Sequence, residues 1–350
     1  MLPQQASYAR IAGYLSDYYS TDLYRSDSGM QHPLLFYRAE QTQIRQLDSV
    51  LGRFPQEHIT QDQLSIYNYG YLHTLQNSKR HLYNGTTFIF KQLRKHPLRI
   101  EAHYGTYYDM LATCAALEQE ILDATRSRLL RLPQRSQYHR NISPSQALTH
   151  GRGRSAAIGV AVLVVFNDAG TYKALLSRRT AHHATRPNAY HLLPAFIFQP
   201  MKQTAHPQEW SIRYHVYREF LEELFGMTEN SSRSIYEHPA LVDLQKMEDN
   251  ESAGLYLTGI AMNLLTLRPE ICITLVIQDP DWWKRIHRSG TELLLNTSAE
   301  AQEDLLLVAI MDPEQLRSAL PASIESMMVP QAVVAFWEGL KIARQIINIS

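Results

Sequence analysis

Arg218-Glu219-Phe220-Leu221-Glu222-Glu223-Leu224-Phe225-Gly226 is the stretch on which the reading of this 350-residue chain turns. Upstream, Pro207 suits a first helical turn, and Gly226 suits the position just past a helix end, so a helix over about 207–225 is expected. On such a helix Glu219, Glu222 and Glu223 stand at i, i+3 and i+4 and fall on one face. Three carboxylates on one stripe repel each other. A hard divalent cation such as Mg²⁺ would relieve that repulsion while bridging to a substrate phosphate. Val216, Tyr217, Phe220, Leu221 and Leu224 supply an apolar face able to bury the helix against a sheet. A helix whose glutamates simply face water usually carries Lys four residues after Glu, whereas here the basic residue close by is Arg218.

Working outward, residues 156–166 are apolar and rich in Val, Asn167-Asp168-Ala169-Gly170 is a turn signal, and 172–177 reads as a second strand, which makes a hairpin. A third apolar segment, 191–198, follows a loop containing His and Pro. Further strands are expected at 254–264, 271–277 and 305–310, with a final helix over about 331–346. Strands and helices mixed in this irregular order point to an α+β fold. Ahead of this part, residues 7–78 are rich in Tyr, Gln, Leu and Asp, with apolar residues at three- and four-residue intervals such as Ile44, Leu47 and Leu51, and read as helices. A hairpin near 85–105 with a basic, Pro-containing turn follows, then a helix over roughly 107–128. The expected organisation is a mainly helical N-terminal region, 1–150, and a second domain, 155–350.

No acidic residue occurs between Asp123 and Asp168, while Arg126, Arg128, Arg131, Arg135, Arg140, Arg152 and Arg154 all lie in that window. The stretch 124–154 reads as a basic, solvated linker between the two domains. The alternative is a phosphate-binding rim, because Arg presents a planar fork matching phosphate oxygens.

Composition narrows the function classes. With 45% hydrophobic and 19% charged residues, the chain has the apolar material for a core and too little charge for a disordered protein. Basic and acidic side chains balance at 34 each, so no global field draws it to nucleic acid or an anionic membrane. Nothing in residues 1–150 resembles a helix-turn-helix or an RNA-binding sheet motif, and no nucleic-acid partner is expected. The two cysteines, Cys114 and Cys272, each sit in an apolar segment, which argues against a disulfide framework or a thiolate metal site. A cytoplasmic setting is expected, with no membrane partner, since the longest apolar run is far shorter than the ~20 residues of a spanning helix. The aromatic, charge-poor N-terminal region is compatible with a homodimer or a protein partner.

The central stretch resembles the core of the Nudix box, G-x5-E-x7-R-E-U-x-E-E-x-G-U, where U is a bulky apolar residue. Arg218, Glu219, Phe220, Glu222 and Glu223 match R-E-U-x-E-E position by position. Leu175-Leu176-Ser177-Arg178-Arg179 is similar to the family strand that ends in a basic residue, and Leu193-Pro194-Ala195-Phe196 sits where the family has L-P-G-G. Over roughly residues 155–345 the resemblance implies an α/β/α sandwich with a mixed sheet. It implies Mg²⁺ (or Mn²⁺) bound by Glu219, Glu222 and Glu223, oriented by Arg218, and hydrolysis of a nucleoside diphosphate-linked compound. A base from Glu222, Glu223 or the Glu300, Glu303, Asp304 group would complete the site. Arg178, Arg179 and Arg186, with His182 and His183, would receive substrate phosphates, although a polar loop is the plainer reading of these residues. The box is incomplete: Trp210 and Thr204 stand where the family has its upstream Glu and Gly, with Glu209 one residue out of register. Two residues, Leu224 and Phe225, separate Glu223 from Gly226 where the family has one, and Ala195-Phe196 replaces Gly-Gly. These departures keep open a second reading, a catalytically degenerate module that senses a nucleotide and passes the signal to a partner.

Overall fold

The computed structural model describes residues 5–78, 82–126, 131–179, 188–201, 206–228, 234–287 and 305–349. The strands in chain order are β1 (Tyr24–Arg25), β2 (Gln31–His32), β3 (Leu34–Arg38), β4 (Thr86–Lys95), β5 (Leu98–Thr106), β6 (Gly159–Asp168), β7 (Thr171–Arg178), β8 (Tyr190–Leu192), β9 (Ala195–Ile197), β10 (Ala253–Asn263), β11 (Arg268–Ile277) and β12 (Leu305–Ala309). The helices are α1 (Gln5–Tyr19), α2 (Tyr69–Gln76), α3 (Tyr107–Met110), α4 (Ala116–Arg126), α5 (Pro133–Tyr138), α6 (Pro144–Ala147), α7 (Ile212–Phe225), α8 (Pro239–Asp249), α9 (Trp282–Ile286), α10 (Pro313–Ala319), α11 (Ala322–Glu325) and α12 (Pro330–Ile349). A π-helical turn, Leu111–Ala115, joins α3 to α4.

The main sheet runs β12-β7-β6-β11-β10-β3, with β8 beside β7 and β9 beside β6. β6 and β11 are parallel, Gly159 opposite Glu270 and Phe166 opposite Ile277, while the other pairs are antiparallel. The sheet is therefore mixed. The apolar run expected at 156–166 becomes β6, a strand buried on both faces. Val160, Val162 and Val164 join one buried cluster with α7, α8 and α9, and Ala161, Leu163 and Val165 join a second with α10 and α12. Period-two alternation along β11 repeats the division, with Ile271, Ile273 and Leu275 on one side and Cys272 and Val276 on the other. Helices on both faces of a mixed sheet make the sandwich that the α+β reading and the resemblance implied.

The N-terminal segment departs from the helices expected over 7–78. α1 and α2 are helical, but Leu47–Val50 and Gln61–Gln63 are single 3-10 turns, and 34–38 is a strand pairing with β10. Leu34 and Leu35 point to opposite faces and enter the two different clusters, so sheet pairing outweighs the helix-like spacing there. Thus the main sheet draws a strand from the first 150 residues.

Two arginines of the basic window are neither solvated nor part of a phosphate rim. Arg135 is fully buried and donates to the carbonyls of Leu264 (2.9 Å) and Leu265 (2.6 Å). Arg154, also fully buried, donates from Nε to the Leu267 carbonyl (3.0 Å) and from Nη2 to that of Ala147 (2.9 Å). A buried guanidinium is tolerable when its donors meet carbonyls, and here it pins 132–154 to the turn after β10. Among the described residues no helix is long and apolar enough to cross a membrane.

Candidate active site

α7 begins later than Pro207. Pro207–Glu209 forms its own 3-10 turn, and the helix starts after Ser211, whose hydroxyl accepts the Tyr214 N–H at 3.2 Å. Its first N–H groups are met from far away: Asp48 accepts from Ile212 N–H at 2.6 Å and from the Ser211 hydroxyl at 2.7 Å. At the other end Gly226 takes the left-handed conformation expected of it, φ +66°, and the Met227 N–H closes onto the Leu221 carbonyl at 3.1 Å.

The apolar stripe of α7 buries Val216, Tyr217, Phe220, Leu221 and Leu224 against the sheet side. The charged residues are more enclosed than a surface helix allows, since Arg218 is 3% exposed and Glu219 9%. Arg218 is in close ion-pair contact with Glu219, and its Nε lies 3.6 Å from Glu222 Oε1. Burial alone would lower the Arg218 pKa, but the Glu219 and Glu222 carboxylates outweigh it and raise it. Glu223 accepts the Ala195 N–H at 3.3 and 3.4 Å, which docks the helix on the β8–β9 connection.

Arg178 closes β7, lies over the Tyr190 ring at 6.0 Å and donates to the Asn188 carbonyl at 3.5 Å. The Arg179 backbone pairs with Ala189 and Asn188. Arg186, His182, His183, Glu300, Glu303 and Asp304 lie outside the described residues.

Two residues near this end of the sheet, Glu270 and His215, were not picked out by motif, and a third, Trp210, was noted only as a departure from it. Glu270, on β11, is 6% exposed, and burial pushes its pKa up to about 7 against the pull of Arg268 and Arg179. It fits because Gly159 opposite has no side chain: a Cβ there would lie 2.0 Å from Glu270 Oε2. A lone Glu in an otherwise apolar strand was the available signal. His215, on α7, is fully buried and donates from Nε2 to the Glu209 carbonyl at 2.8 Å. Burial, then Arg218, lowers its pKa to about 3, so the ring is neutral. Trp210, standing where the resembled pattern has an acid, is packing and not chemistry. Its ring stacks on Phe198 at 5.2 Å, and its Nε1–H reaches the Gly52 carbonyl at 3.0 Å.

Among the described residues no group of three His, Cys, Asp or Glu side chains comes together in a way that could hold a metal ion. Of the three carboxylates implied as ligands, Glu219 and Glu222 both lie against Arg218. Mg²⁺ is commonly held by one or two carboxylates, with water and substrate phosphates completing its shell. The carboxylates of this stripe are hard oxygen donors of the type such a site uses.

No family model matches the chain, and no curated protein does. Among solved structures it is similar to a C. elegans Ap4A hydrolase binary complex, at 12% identity over 51% of this chain and 94% of that one, with a TM-score of 0.24. It is also similar to RenU, a Nudix hydrolase from M. smegmatis, at 12% identity over 57% of this chain and 92% of that one, with a TM-score of 0.27.

Proposed function

We propose that the chain is a hydrolase that cleaves a phosphoanhydride linkage in a nucleoside diphosphate derivative, with water attacking phosphorus beside α7. The observation that carries this reading is the docking of the glutamate stripe. Glu223 sits on the Ala195 N–H, and Glu219 and Glu222 are gathered by a buried Arg218. In this reading Arg218 is a positioning residue that keeps the carboxylates from splaying into solvent. Glu222 and Glu223 are the pair suited to hold Mg²⁺ or Mn²⁺, which when bound would neutralise charge developing on the phosphoryl oxygens. Arg178 and Arg179, at the end of β7, are the cations suited to the substrate's phosphates. Glu222, Glu223 or one of the Glu300, Glu303, Asp304 group takes the proton from the attacking water.

A second reading, a nucleotide sensor without turnover, is favoured by Trp210, which packs where the resembled pattern carries an acid. Incubation with a panel of nucleoside diphosphate compounds, with and without Mg²⁺ or Mn²⁺, separates the two. Metal-dependent release of phosphate products, lost in a Glu222→Gln/Glu223→Gln variant, is the result expected of the hydrolase. Nucleotide binding by calorimetry without any release would replace it with the sensor.

A further inference from the structure

A concavity far from the Glu222 and Glu223 stripe in sequence is built by the hairpin β4–β5 and the segment that crosses it. That segment is pinned to β5 at both ends: the Gly52 N–H donates to the Ile100 carbonyl (2.7 Å), the Tyr104 N–H to the Glu57 carbonyl (2.8 Å), and the Ile59 N–H to the Tyr104 carbonyl (2.8 Å). Between the pins, 53–56 enclose a cavity of about 500 Å³ with Ala102 among its lining residues. That volume falls in the range of small-molecule sites. Gly52 permits the close crossing, since a Cβ there would meet Glu101 Cγ at 2.8 Å.

The lining is cationic beyond what its acids balance. Arg53, Lys91, Arg94 and Arg99 face Glu57 and Glu101. Arg94 pairs with Glu101 at 2.9 Å, and Glu57 lies 3.8 Å from Lys91 and 3.2 Å from His103. Arg53 and Arg99 have no acidic partner among the described residues. Arg94 and Arg99 are direct cross-strand partners, an arrangement of like charges that destabilises a hairpin unless something anionic lies between them. Two guanidinium forks without an acidic partner among the described residues, beside Arg94 with its single partner Glu101, match the oxygens of successive phosphates.

We infer that this cavity is a second anion site, which takes the phosphate chain of a small phosphorylated molecule. The inference stands apart from the hydrolase reading, because none of its residues belongs to α7. One structural link joins the two regions: the Gly52 carbonyl at the cavity wall accepts the Trp210 indole N–H.

Calorimetric titration of the full chain with inorganic tripolyphosphate and with ATP, at low salt in a chelator, tests it. Saturable binding is expected in wild type and in the Glu222→Gln/Glu223→Gln variant. The affinity should fall about tenfold or more in Arg53→Gln/Arg99→Gln, as expected for losing two charge-assisted contacts. The melting temperature of Arg53→Gln/Arg99→Gln should not fall, since both side chains are exposed and the like-charge pairing of Arg94 with Arg99 is relieved. Arg10→Gln/Arg126→Gln, which removes the same charge at exposed positions elsewhere, should bind as wild type does. No binding in wild type would overturn the site. So would equal affinity in Arg53→Gln/Arg99→Gln, or equal loss in the Arg10 and Arg126 control or in the glutamate variant. A single-stranded RNA oligonucleotide that binds more tightly than tripolyphosphate, with the steep salt dependence of many phosphate contacts, would overturn the small-molecule assignment in favour of a nucleic-acid surface.

Discussion

Asp48 caps the helix that begins at Ile212 from 164 residues away, its Oδ1 accepting the Ile212 N–H at 2.6 Å. The first turn of α7 contains no acidic residue, so the anion that satisfies its open N–H groups comes from the 3-10 turn Leu47–Val50. The glutamate helix is thereby held in place by the N-terminal region. Asp48→Ala is expected to cost about 1–2 kcal/mol, the usual value of a cap, and Asp48→Asn less, because a hydrogen-bond acceptor remains. Urea unfolding of the two variants against wild type checks the order.

Arg218 is the hub of a buried charge cluster, and removing it strands Glu219 and Glu222 away from water. Arg218→Met should destabilise by about 3 kcal/mol or more, as when one partner of a buried pair is deleted. Adding Glu219→Gln and Glu222→Gln to Arg218→Met should recover most of that loss, since no unbalanced charge is then left. Denaturant midpoints of the single and triple variants decide the matter, and an unrecovered triple variant would mean that Arg218 matters for packing more than for charge.

Glu270 makes stability depend on pH in a defined direction. Its folded-state pKa of about 7 lies above the ordinary 4.5, so the native protein holds this proton more tightly than the unfolded chain does. Its contribution is complete below pH 4.5 and is lost as pH rises through 7, a swing of about 3 kcal/mol. Glu270→Gln should flatten that part of the profile and be relatively more stable above pH 7. Unfolding free energies measured across this window for both proteins make the comparison.

His215 acts in the opposite direction. Its pKa is lowered from 6.5 to about 3, so its stabilising contribution is present above pH 6.5 and is lost as pH falls toward 3. In His215→Gln the acid limb of the stability profile should be shallower. Acid titration followed by far-ultraviolet dichroism tests this, and an unchanged acid limb would contradict it.

Gly159 and Glu270 should be energetically coupled. A Cβ at 159 would stand 2.0 Å from Oε2 and 2.5 Å from Cδ of Glu270, so Gly159→Ala should cost about 1–3 kcal/mol through overpacking. Combined with Glu270→Ala, the same change should cost much less than the two separate losses added together. A double-mutant cycle yields the interaction free energy directly.

Local pattern made much of this molecule legible. The run that became β6, the Asn167–Gly170 turn, the hairpin β4–β5, the apolar stripe of α7 and its Gly226 stop could all be read from periodicity and turn chemistry. The glutamates and Arg218 could be assigned to one helix for the same reason: side chains three and four apart meet on any α-helix. What the sequence by itself determined, then, was which elements form and which faces they bury. Tertiary structure decided which groups meet across the chain. It made 34–38 a sheet strand, placed Asp48 on the helix start, buried Arg135 and Arg154 on distant carbonyls, and set Glu270 over Gly159. None of these has a sequence period, because each depends on strand register and on desolvation, and those exist only once segments a hundred or more residues apart have packed together.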